Sequence, residues 1–367
     1  MKDGSEANWL SLVENRLALI LTGFFNHLLA NDLPLPAKQN LIRQIYLPKS
    51  KDPLQRFENC RPISITSPIY KLVDIVLNKK LTAFLDSNDL YKLDTSQTGF
   101  RQKIGCEVNI LRLVESIQQQ KEQLRAKYKA TQQLWTLFID FKSAFDSVSQ
   151  VRIFHKMKHL GMDRELCNTV KWLYGQTEMY NGRDNSLINQ GVIQGGTISP
   201  TLFTIFVNDL IAQLDKKGFQ VFAYADDIAI LGTGGKALDA AWRLIWDWSF
   251  DNQMQVNKKK SGIIVHKGKL PNQCQQNGTN CHQLSSIPVV ESYKYLGVWI
   301  DKSLNFRKHL EYTKEKIRSS MKILNIMKWR KCSKWHVIYS WMTYIVPHFR
   351  YGALIYYRRN KKGEKTT

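Results

Sequence analysis

The sequence predicts a mixed α+β fold in which antiparallel strands are backed by helices. Two apolar runs, Phe219–Tyr224 and Ile228–Leu231, flank the adjacent acids Asp226 and Asp227, a pattern typical of a hairpin. The aromatic and β-branched segment Leu134–Phe141 indicates a buried strand. Because 43% of the 367 residues are hydrophobic, the chain can bury a sizeable core. Its length allows about two or three subdomains.

Helix and strand patterns alternate before and after this buried strand. Trp9–Leu29 is a helical pattern that ends at the turn-forming run NDLPLP, and Leu41–Leu47 is a short apolar strand. Glu107–Lys129 has apolar residues at helical spacing. Val151–Leu160 and Glu165–Tyr174 predict two further helices. No internal repeat or long linker separates these segments, so we expect subdomains of one unit.

Two helix starts can be read from capping residues. Asp163 is placed to cap the helix that follows it, and Ser199 is placed to cap a helix that begins at Pro200. The second of these helices carries an apolar stripe that we interpret as core, formed by Leu202, Phe203, Phe206, Val207, Leu210 and Leu214.

Carboxylates near the strand end and in the hairpin predict a site for divalent cations. Asp140 lies late in the buried segment, on the same face as Thr136 and Phe138. Burying paired carboxylates costs several kcal/mol unless a cation neutralises them. Together with Asp226 and Asp227, Asp140 could hold two Mg²⁺ ions about 3.5–4 Å apart, the arrangement used for in-line phosphoryl transfer. The alternative for the acidic pair is a solvated turn, although a plain turn favours Asn-Gly or Asp-Gly.

Several motifs around these acids follow one another in a characteristic order and spacing. The four central ones are FIDFKSAFDSV (Phe138–Val148), GVIQGGTISPTLFTIFVNDL (Gly191–Leu210), YADD (Tyr224–Asp227) and YKYLGVWID (Tyr293–Asp301). The others are NKKKSGII (Asn257–Ile264), CRPISITSPIYKLVD (Cys60–Asp74) and TGFRQKIG (Thr98–Gly105). From about residue 41 to about residue 356 the chain thereby resembles the reverse transcriptases of non-LTR, LINE-like retrotransposons. The central motifs resemble motifs A, B, C and E of that family, NKKKSGII resembles motif D, and the remaining two resemble fingers motifs.

The resemblance implies a right-handed polymerase fold with an antiparallel-sheet palm, helical fingers and a helical thumb. It places the N-terminal region and fingers in residues 1–133 and the palm with its catalytic motifs in residues 134–301. Within the palm range, residues 143–190 would include the helical connection between fingers and palm. A basic helical thumb, complete or truncated, would occupy residues 302–367.

The resemblance also implies roles for the acids. Asp140 and Asp226 would be the principal ligands of two Mg²⁺ ions, for which Mn²⁺ could substitute. Asp227 would be an accessory acid, and the backbone carbonyl of Phe141 a further ligand. One ion would lower the pKa of the primer 3′-hydroxyl, and the other would neutralise the triphosphate and the leaving pyrophosphate. Lys260 would protonate that pyrophosphate, although neighbouring lysines make the register ambiguous.

Further residues would bind substrate by the same resemblance. Phe145 would be a steric gate that excludes a 2′-hydroxyl, with a core phenylalanine as the alternative. Gln194 would contact nucleotide and template, and Gly195 would let the backbone approach the base pair closely. Arg61 would face the triphosphate, and Arg101 the template or the triphosphate, with a surface salt bridge as the alternative for both. The primer grip would be formed by Tyr295, Leu296 and Gly297.

The implied activity is RNA-directed DNA polymerisation on an RNA template, with dNTPs and a DNA primer or nicked DNA target. A catalytically silent or domesticated nucleic-acid-binding protein is the main alternative. An RNA-templated RNA polymerase is another, against which Phe145 argues, and an intron maturase is a third, although its additional domain is not recognised. LINE-like proteins usually carry an endonuclease that this chain lacks, so we expect a fragment or a truncated element. The oligomeric state is left open.

Charge supports a polyanionic partner. The net charge is +22, and the 66 residues from Lys302 to Thr367 contain 17 Lys and Arg against 3 Asp and Glu. Aromatic residues are interleaved with these charges, which suits a helical element on a duplex backbone, although the aromatics could equally be core. Leu17–Phe25 is too short and interrupted for a membrane span or a secretion signal. We expect an intracellular, non-secreted protein without a membrane partner, and the resemblance implies nuclear action.

The cysteines give no sign of a disulfide framework, because the six lie far apart and form no Cys-x-x-Cys pair. His266, Cys274, Cys281 and His282 could be arranged as a zinc site. The polar, turn-rich segment that contains them favours a surface loop instead.

Overall fold

The computed structural model describes residues 5–36, 39–48, 60–87, 93–101, 104–126, 132–180, 185–188, 190–268 and 287–356. Within these ranges the chain forms helices and strands in two compact units. The first unit comprises Met1–Lys92 and Val148–Phe203, and the second comprises Leu93–Ser147 and Thr204–Thr367. Each unit is therefore discontinuous in sequence.

The helices are numbered in chain order: α1 (Ser5–Ala30), α2 (Pro68–Ser87), α3 (Cys106–Ala126), α4 (Ala144–Ser147), α5 (Gln150–His159), α6 (Arg164–Gly175), α7 (Ser199–Lys216), α8 (Gly235–Asp251), α9 (Arg307–Trp329), α10 (Lys334–Tyr344), α11 (Val346–Arg350) and α12 (Ala353–Tyr356). The strands are β1 (Leu41–Pro48), β2 (Cys60–Ile65), β3 (Leu134–Ile139), β4 (Glu178–Tyr180), β5 (Asn185–Leu187), β6 (Gln220–Tyr224), β7 (Asp227–Thr233), β8 (Gly262–Lys267), β9 (Ser292–Tyr295) and β10 (Val298–Asp301). The predicted α+β composition is confirmed.

The first unit contains a four-stranded sheet in the order β2, β1, β4, β5. β1 pairs antiparallel with β2 and parallel with β4. The predicted strand Leu41–Leu47 is confirmed as β1. The sheet around it was not foreseen, because β4 and β5 have three residues each and are too short to show a period of two. The expectation of helical fingers did not include this four-stranded sheet.

The second unit is built on an antiparallel sheet in the order β6, β7, β3, β8. β3 lies between β7 and β8, and all six of its residues are buried, as its aromatic and β-branched composition predicts. Apolar residues of α3 pack against this sheet and complete one core, among them Ile110, Leu113 and Ile117. The predicted buried strand and the hairpin of β6 and β7 are both confirmed.

The hairpin of β9 and β10 joins the same core. Its two-residue turn has Leu296 at φ 44° and Gly297 at φ 86°, so both residues adopt the left-handed conformation that tight hairpin turns require. A side chain in place of Gly297 would meet the ring of Tyr351 at 3.2 Å. The glycine is therefore required both by the turn and by its packing.

Helix predictions hold well along the chain. The patterns at Trp9–Leu29 and Glu107–Lys129 correspond to α1 and α3, although α3 is described only to Ala126. The Asp163 carboxylate caps α6, accepting hydrogen bonds from two backbone N–H groups at 3.0 and 3.4 Å. α7 already includes Ser199, whose hydroxyl pairs with that of Tyr174 at 3.1 Å. The apolar stripe of α7 is buried as predicted.

The basic C-terminal segment is helical from α9 to α12, as expected. Trp329, Trp335 and Tyr339 are 77%, 81% and 73% exposed, so the alternative that these aromatics are core is wrong for them. None of the described helices combines the length and the apolar character needed to cross a bilayer.

Candidate active site

The acidic turn links β6 to β7 through Ala225 and Asp226. The last pair of the hairpin joins Tyr224 to Asp227, so Asp226 lies at the tip and Asp227 opens β7. Ala225 is buried and has φ 55°, a left-handed conformation that costs an L-residue about 1 kcal/mol. The turn therefore holds a strained alanine directly before its first acid, which is the kind of backbone strain found at functional sites.

Asp140 follows β3 directly and faces the same hairpin. Ile139 pairs with Ile228, so one further step in the antiparallel register puts Asp140 beside Asp227. Its backbone is fixed at both ends: the N–H donates to Ser261 Oγ at 3.1 Å, and the carbonyl accepts from the Asn257 N–H at 2.7 Å. The structure thus brings the three predicted acids to one edge of the sheet in the second unit.

The carboxylates influence one another electrostatically. Burial, the largest cause, and the nearby charges of Asp226 and Asp140 together raise the pKa of Asp227 to about 7. Burial also raises the pKa of the Tyr293 hydroxyl, with Asp140 and Asp227 adding to the effect. A divalent cation would relieve this repulsion, and carboxylate oxygens are the donors that Mg²⁺ prefers.

The described acids are not arranged as a complete metal-binding site. Among the described residues, no three His, Cys, Asp or Glu side chains are grouped closely enough to hold an ion. Like-charged carboxylates repel when no cation lies between them, which gives a physical reason for such spacing. The donor chemistry, carboxylate oxygens with a backbone carbonyl nearby, fits Mg²⁺.

The raised pKa of Asp227 makes stability depend on pH. The unfolded carboxyl ionises near its ordinary value of 3.8, whereas the folded one keeps its proton to about pH 7, so folding stability falls as pH rises through this interval. Asp227→Asn should therefore stabilise the metal-free protein by on the order of 2–4 kcal/mol at pH 8, with the gain vanishing near pH 4. Urea unfolding in EDTA at the two pH values measures this difference.

Asp251→Asn is the matched control, since Asp251 is an exposed acid on α8 of the same unit. Its effect should stay within about 0.5 kcal/mol at both pH values. An equal gain for Asp227→Asn at pH 4 and pH 8 would contradict the electrostatic explanation.

The predicted primer-grip residues divide into a buried anchor and a partly exposed turn. Tyr295 is fully buried, and its hydroxyl donates to the carbonyl of Phe222 in β6 at 2.8 Å. Its neighbour Tyr293 stacks on Phe138 with ring centroids 4.3 Å apart. The Leu296 carbonyl accepts from the hydroxyl of Tyr351. The β9–β10 hairpin thus contacts the β6–β7 hairpin through Tyr295 and strand β3 through Tyr293.

The two phenylalanines of the first acidic motif differ in environment. The Phe141 side chain is buried, with its ring centroid 6.0 Å from that of Trp248. Because a phenyl ring has no metal-binding atom, only the backbone carbonyl of Phe141 is a candidate ligand. Phe145 lies on α4 and is partly exposed, outside the fully buried core. The core alternative therefore fits Phe145 less well than a surface role.

The three neighbouring lysines of this motif differ in their surroundings. Lys258 places its ammonium 4.5 Å from the ring centroid of Trp246, a cation–π contact. Lys259 and Lys260 are exposed, and the Lys260 N–H donates to the Asn257 carbonyl at 3.1 Å. Because Asn257 also bonds the Asp140 carbonyl, this turn is tied to the acid-bearing edge.

Arg101 makes contacts that were not foreseen. Its guanidinium donates to the carbonyls of Leu93 and Asp94, at 2.6 and 3.0 Å. Both acceptors are backbone atoms of the preceding loop, so the salt-bridge alternative does not describe these contacts. The predicted contact with template or triphosphate stays a prediction.

Within the first unit, Gln194 and Gly195 lie against β2. The Ser64 N–H donates to the Gln194 carbonyl at 2.7 Å, and the Lys71 ammonium donates to the Gly195 carbonyl at 3.0 Å. Gly195 has φ 112°, and a Cβ there would come within 2.8 Å of the Ser64 carbonyl oxygen. The loop can follow the strand this closely only with glycine. Arg61 is an exposed residue of the same strand.

Sequence reasoning missed the residue that anchors this loop. Asp74 on α2 is 1% exposed, accepts from the N–H groups of Thr197 and Ile198 at 2.5 and 3.0 Å, and forms an ion pair with Lys71 at 3.4 Å. Its position as an isolated acid in the apolar run YKLVDIV was the available signal.

Asp74→Ala should destabilise the protein by about 2–4 kcal/mol, because two backbone N–H groups lose their acceptor. Chemical denaturation measures the change. Asp86→Ala, at an exposed acid of the same helix, should cost no more than about 0.5 kcal/mol. Equal losses for the two variants would show that Asp74 does not anchor the loop.

His266, one of the residues suggested for a zinc site, already has a polar partner at each ring nitrogen. The imidazole is buried in β8, with Nε2 2.9 Å from Thr136 Oγ1 and Nδ1 3.2 Å from the Lys302 carbonyl. Burial, with a contribution from the positive charge of Lys121, lowers its pKa to about 3. Its three suggested partners, Cys274, Cys281 and His282, lie outside the described residues.

The chain is similar in sequence to known proteins. The sequence profile described as "Reverse transcriptase (RNA-dependent DNA polymerase)" matches residues 47–300. The "RNA-directed DNA polymerase from mobile element jockey" of Drosophila funebris is 25% identical over 333 residues, covering 86% of this chain and 35% of that protein. The "Retrovirus-related Pol polyprotein from type-1 retrotransposable element R2" of Popillia japonica is 28% identical over 254 residues, covering 65% and 34%. The chain spans about a third of the length of these curated relatives.

Among solved structures, a telomerase from Candida albicans, in complex with the TWJ fragment of telomeric RNA, matches with a TM-score of 0.47 at 12% identity. That match covers 88% of this chain and 60% of the telomerase chain.

Proposed function

The chain belongs to the reverse transcriptase family and is related to the reverse transcriptases of non-LTR retrotransposons, and on that premise we propose that it is an RNA-directed DNA polymerase. The observation that carries the proposal is the acidic edge of the second unit. There, Asp140 follows β3 and Asp226 and Asp227 occupy the neighbouring turn, and the charges of Asp226 and Asp140 contribute to the raised pKa of Asp227.

Asp140 and Asp226 would hold two Mg²⁺ ions, with Asp227 and the Phe141 carbonyl as accessory ligands, and Mn²⁺ could substitute. When bound, the ions supply activation of the primer 3′-hydroxyl and neutralisation of the triphosphate charge. The protein fixes the backbone of these ligands through the β3–β7 pairing and through Asn257 and Ser261. Preorganised ligands need little rearrangement during the reaction.

The remaining predicted residues keep roles consistent with their surroundings. Phe145 is partly exposed and would pack beneath the incoming sugar. Lys260 is exposed beside the acid-bearing edge and would donate a proton to pyrophosphate. Gln194 and Arg61 would contact nucleotide and triphosphate, and Tyr295 would hold the primer-grip hairpin under the acidic turn.

The expected partners are an RNA template, a DNA primer or nicked target, and dNTPs. The helical segment α9 to α12 supports nucleic-acid binding, because exposed aromatic rings are interleaved with many lysines and arginines. A silent nucleic-acid-binding protein is the second candidate, because the exposed rings and basic residues of α9 to α12 would bind nucleic acid whether or not the acids catalyse a reaction.

Primer extension separates the two candidates. Purified protein, Mg²⁺ and a DNA primer annealed to an RNA template should give extension with dNTPs and none with rNTPs. Template binding measured on the same samples provides the control for a competent complex. Tight binding without extension would overturn the polymerase proposal in favour of the silent binding protein.

A further inference from the structure

A short loop before α3 lies directly against the acidic turn. Residues 96–99 run alongside β6, with Gln97 paired to Ala223 in a parallel bridge. The Ala223 N–H donates to the Ser96 carbonyl at 3.0 Å, and the Thr98 N–H donates to the Ala223 carbonyl at 2.9 Å. The loop therefore follows the end of β6 up to the acidic turn.

The Gln97 side chain binds the backbone of the turn itself. It is 0% exposed. Its Oε1 accepts from the Ala225 N–H at 3.0 Å and the Gly99 N–H at 2.9 Å, while its Nε2 donates to the Ala225 carbonyl at 3.4 Å. One amide side chain thus satisfies both backbone polar groups of the strained Ala225.

These contacts bear on Asp226 through peptide geometry. The Ala225 N–H belongs to the peptide plane before Ala225, and the Ala225 carbonyl belongs to the plane that leads into Asp226. Gln97 holds both planes, so it sets the direction in which the Asp226 side chain leaves the turn. A side chain at Gly99 would lie 2.5 Å from the Ala225 nitrogen, so glycine is required for this close approach.

The loop is itself anchored, so Gln97 acts from a fixed support. Arg101 closes the loop by donating to the carbonyls of Leu93 and Asp94. The Asp94 N–H donates to Asn208 Oδ1 of α7 at 2.8 Å, and its carboxylate accepts from the Ser96 N–H at 2.8 Å. These bonds hold the backbone on both sides of Gln97.

A second amide supports the same strand end. Asn109 of α3 is fully buried and donates from Nδ2 to the Ala223 carbonyl and to Thr98 Oγ1, both at 2.8 Å. Asn109 thus bonds β6 and the loop residue Thr98, whereas Gln97 bonds the turn at Ala225. Asn109 therefore supports the end of β6, whereas Gln97 holds the backbone of the turn that carries Asp226.

We propose that Gln97 is a positioning residue that orients Asp226 for metal binding by holding the two peptide planes of Ala225. The proposal rests on the function proposed above for Asp226. It gives the buried glutamine a role in the reaction although Gln97 is placed to contact neither substrate nor metal.

The test measures metal binding apart from catalysis. Mn²⁺ binding to the free protein is followed by electron paramagnetic resonance, and single-turnover dNTP addition is measured as a function of Mg²⁺ concentration. Gln97→Ala should weaken Mn²⁺ binding and slow addition by about 10–100-fold, the usual effect of removing a group that orients a metal ligand. The Km for dNTP and the affinity for template and primer should change by less than about threefold, because Gln97 is placed to contact neither.

Gln220→Ala is the matched control, since Gln220 lies at the far end of β6. Among the contacts described, its side chain bonds only that of Gln120. It should leave Mn²⁺ binding and addition unchanged. Gln97→Met keeps the length of the side chain and adds no buried charge, but it loses both polar contacts with Ala225. It should show the same weaker Mn²⁺ binding as Gln97→Ala, and it decides the matter if Gln97→Ala does not fold.

The outcomes separate this proposal from the proposed function. Unchanged Mn²⁺ binding and addition in a folded Gln97 variant, beside an active wild type, would overturn the positioning role alone. A wild type that binds Mn²⁺ but adds no nucleotide would overturn the polymerase function. In that case weaker Mn²⁺ binding by Gln97→Ala would still support the positioning role.

Discussion

Asp226→Asn is expected to slow nucleotide addition by at least about a thousandfold, equivalent to about 4 kcal/mol of activation free energy. The amide cannot neutralise the charge of a divalent cation, so the variant would lose a principal metal ligand at the tip of the turn. Single-turnover addition of one dNTP to a primer on an RNA template measures the loss. Template affinity should be nearly unchanged, since the substitution leaves the basic helices intact.

Asp146→Asn is the control for Asp226→Asn. Asp146 belongs to the same acidic motif as Asp140 but is exposed on α4 and lies outside the proposed ligand set. Its substitution should change the rate by less than about threefold. A thousandfold loss in both variants would mean that general disruption, and not metal coordination, explains the effect.

Phe145→Val is expected to reduce the preference for dNTPs over rNTPs by about a hundredfold. The smaller side chain would leave space for a 2′-hydroxyl beneath the sugar, so rNTP addition should rise while dNTP addition falls only modestly. Competition between a dNTP and the matching rNTP in single-nucleotide addition measures the ratio.

Phe250→Val provides the comparison for the steric gate, because Phe250 is a highly exposed phenylalanine on α8. It should leave sugar discrimination as it is in the wild type. If Phe145→Val also leaves the ratio unchanged, the ring does not face the sugar and its role is packing.

Elements with strong apolar patterns could be predicted from the sequence. β3 and the hairpin of β6 and β7 have short apolar runs typical of buried strands, and the stripe of α7 has the spacing of a buried helix face. The three acids were found because carboxylates are out of place beside such runs. Their nearness in the fold follows from the register between Ile139 and Ile228.

Residues that act through backbone contacts could not be predicted in this way. Gln97 and Asp74 carry polar side chains whose partners are distant in sequence, so no local period reveals them. Gln97 also stands one residue before the fingers motif that begins at Thr98. Arg101 was assigned to nucleic acid because its charge is visible in the sequence, whereas the loop carbonyls it binds are not.

Single-turnover addition of the complementary dNTP opposite a defined RNA base, with Mg²⁺ titrated from zero, would decide whether the acidic turn is the reaction centre. We expect the wild type to add only the complementary deoxynucleotide, addition to require Mg²⁺, and Asp226→Asn to abolish addition. Addition that persists in Asp226→Asn, or a wild type that binds primer and template at saturating Mg²⁺ without adding a nucleotide, would contradict the assignment of the acidic turn as the reaction centre.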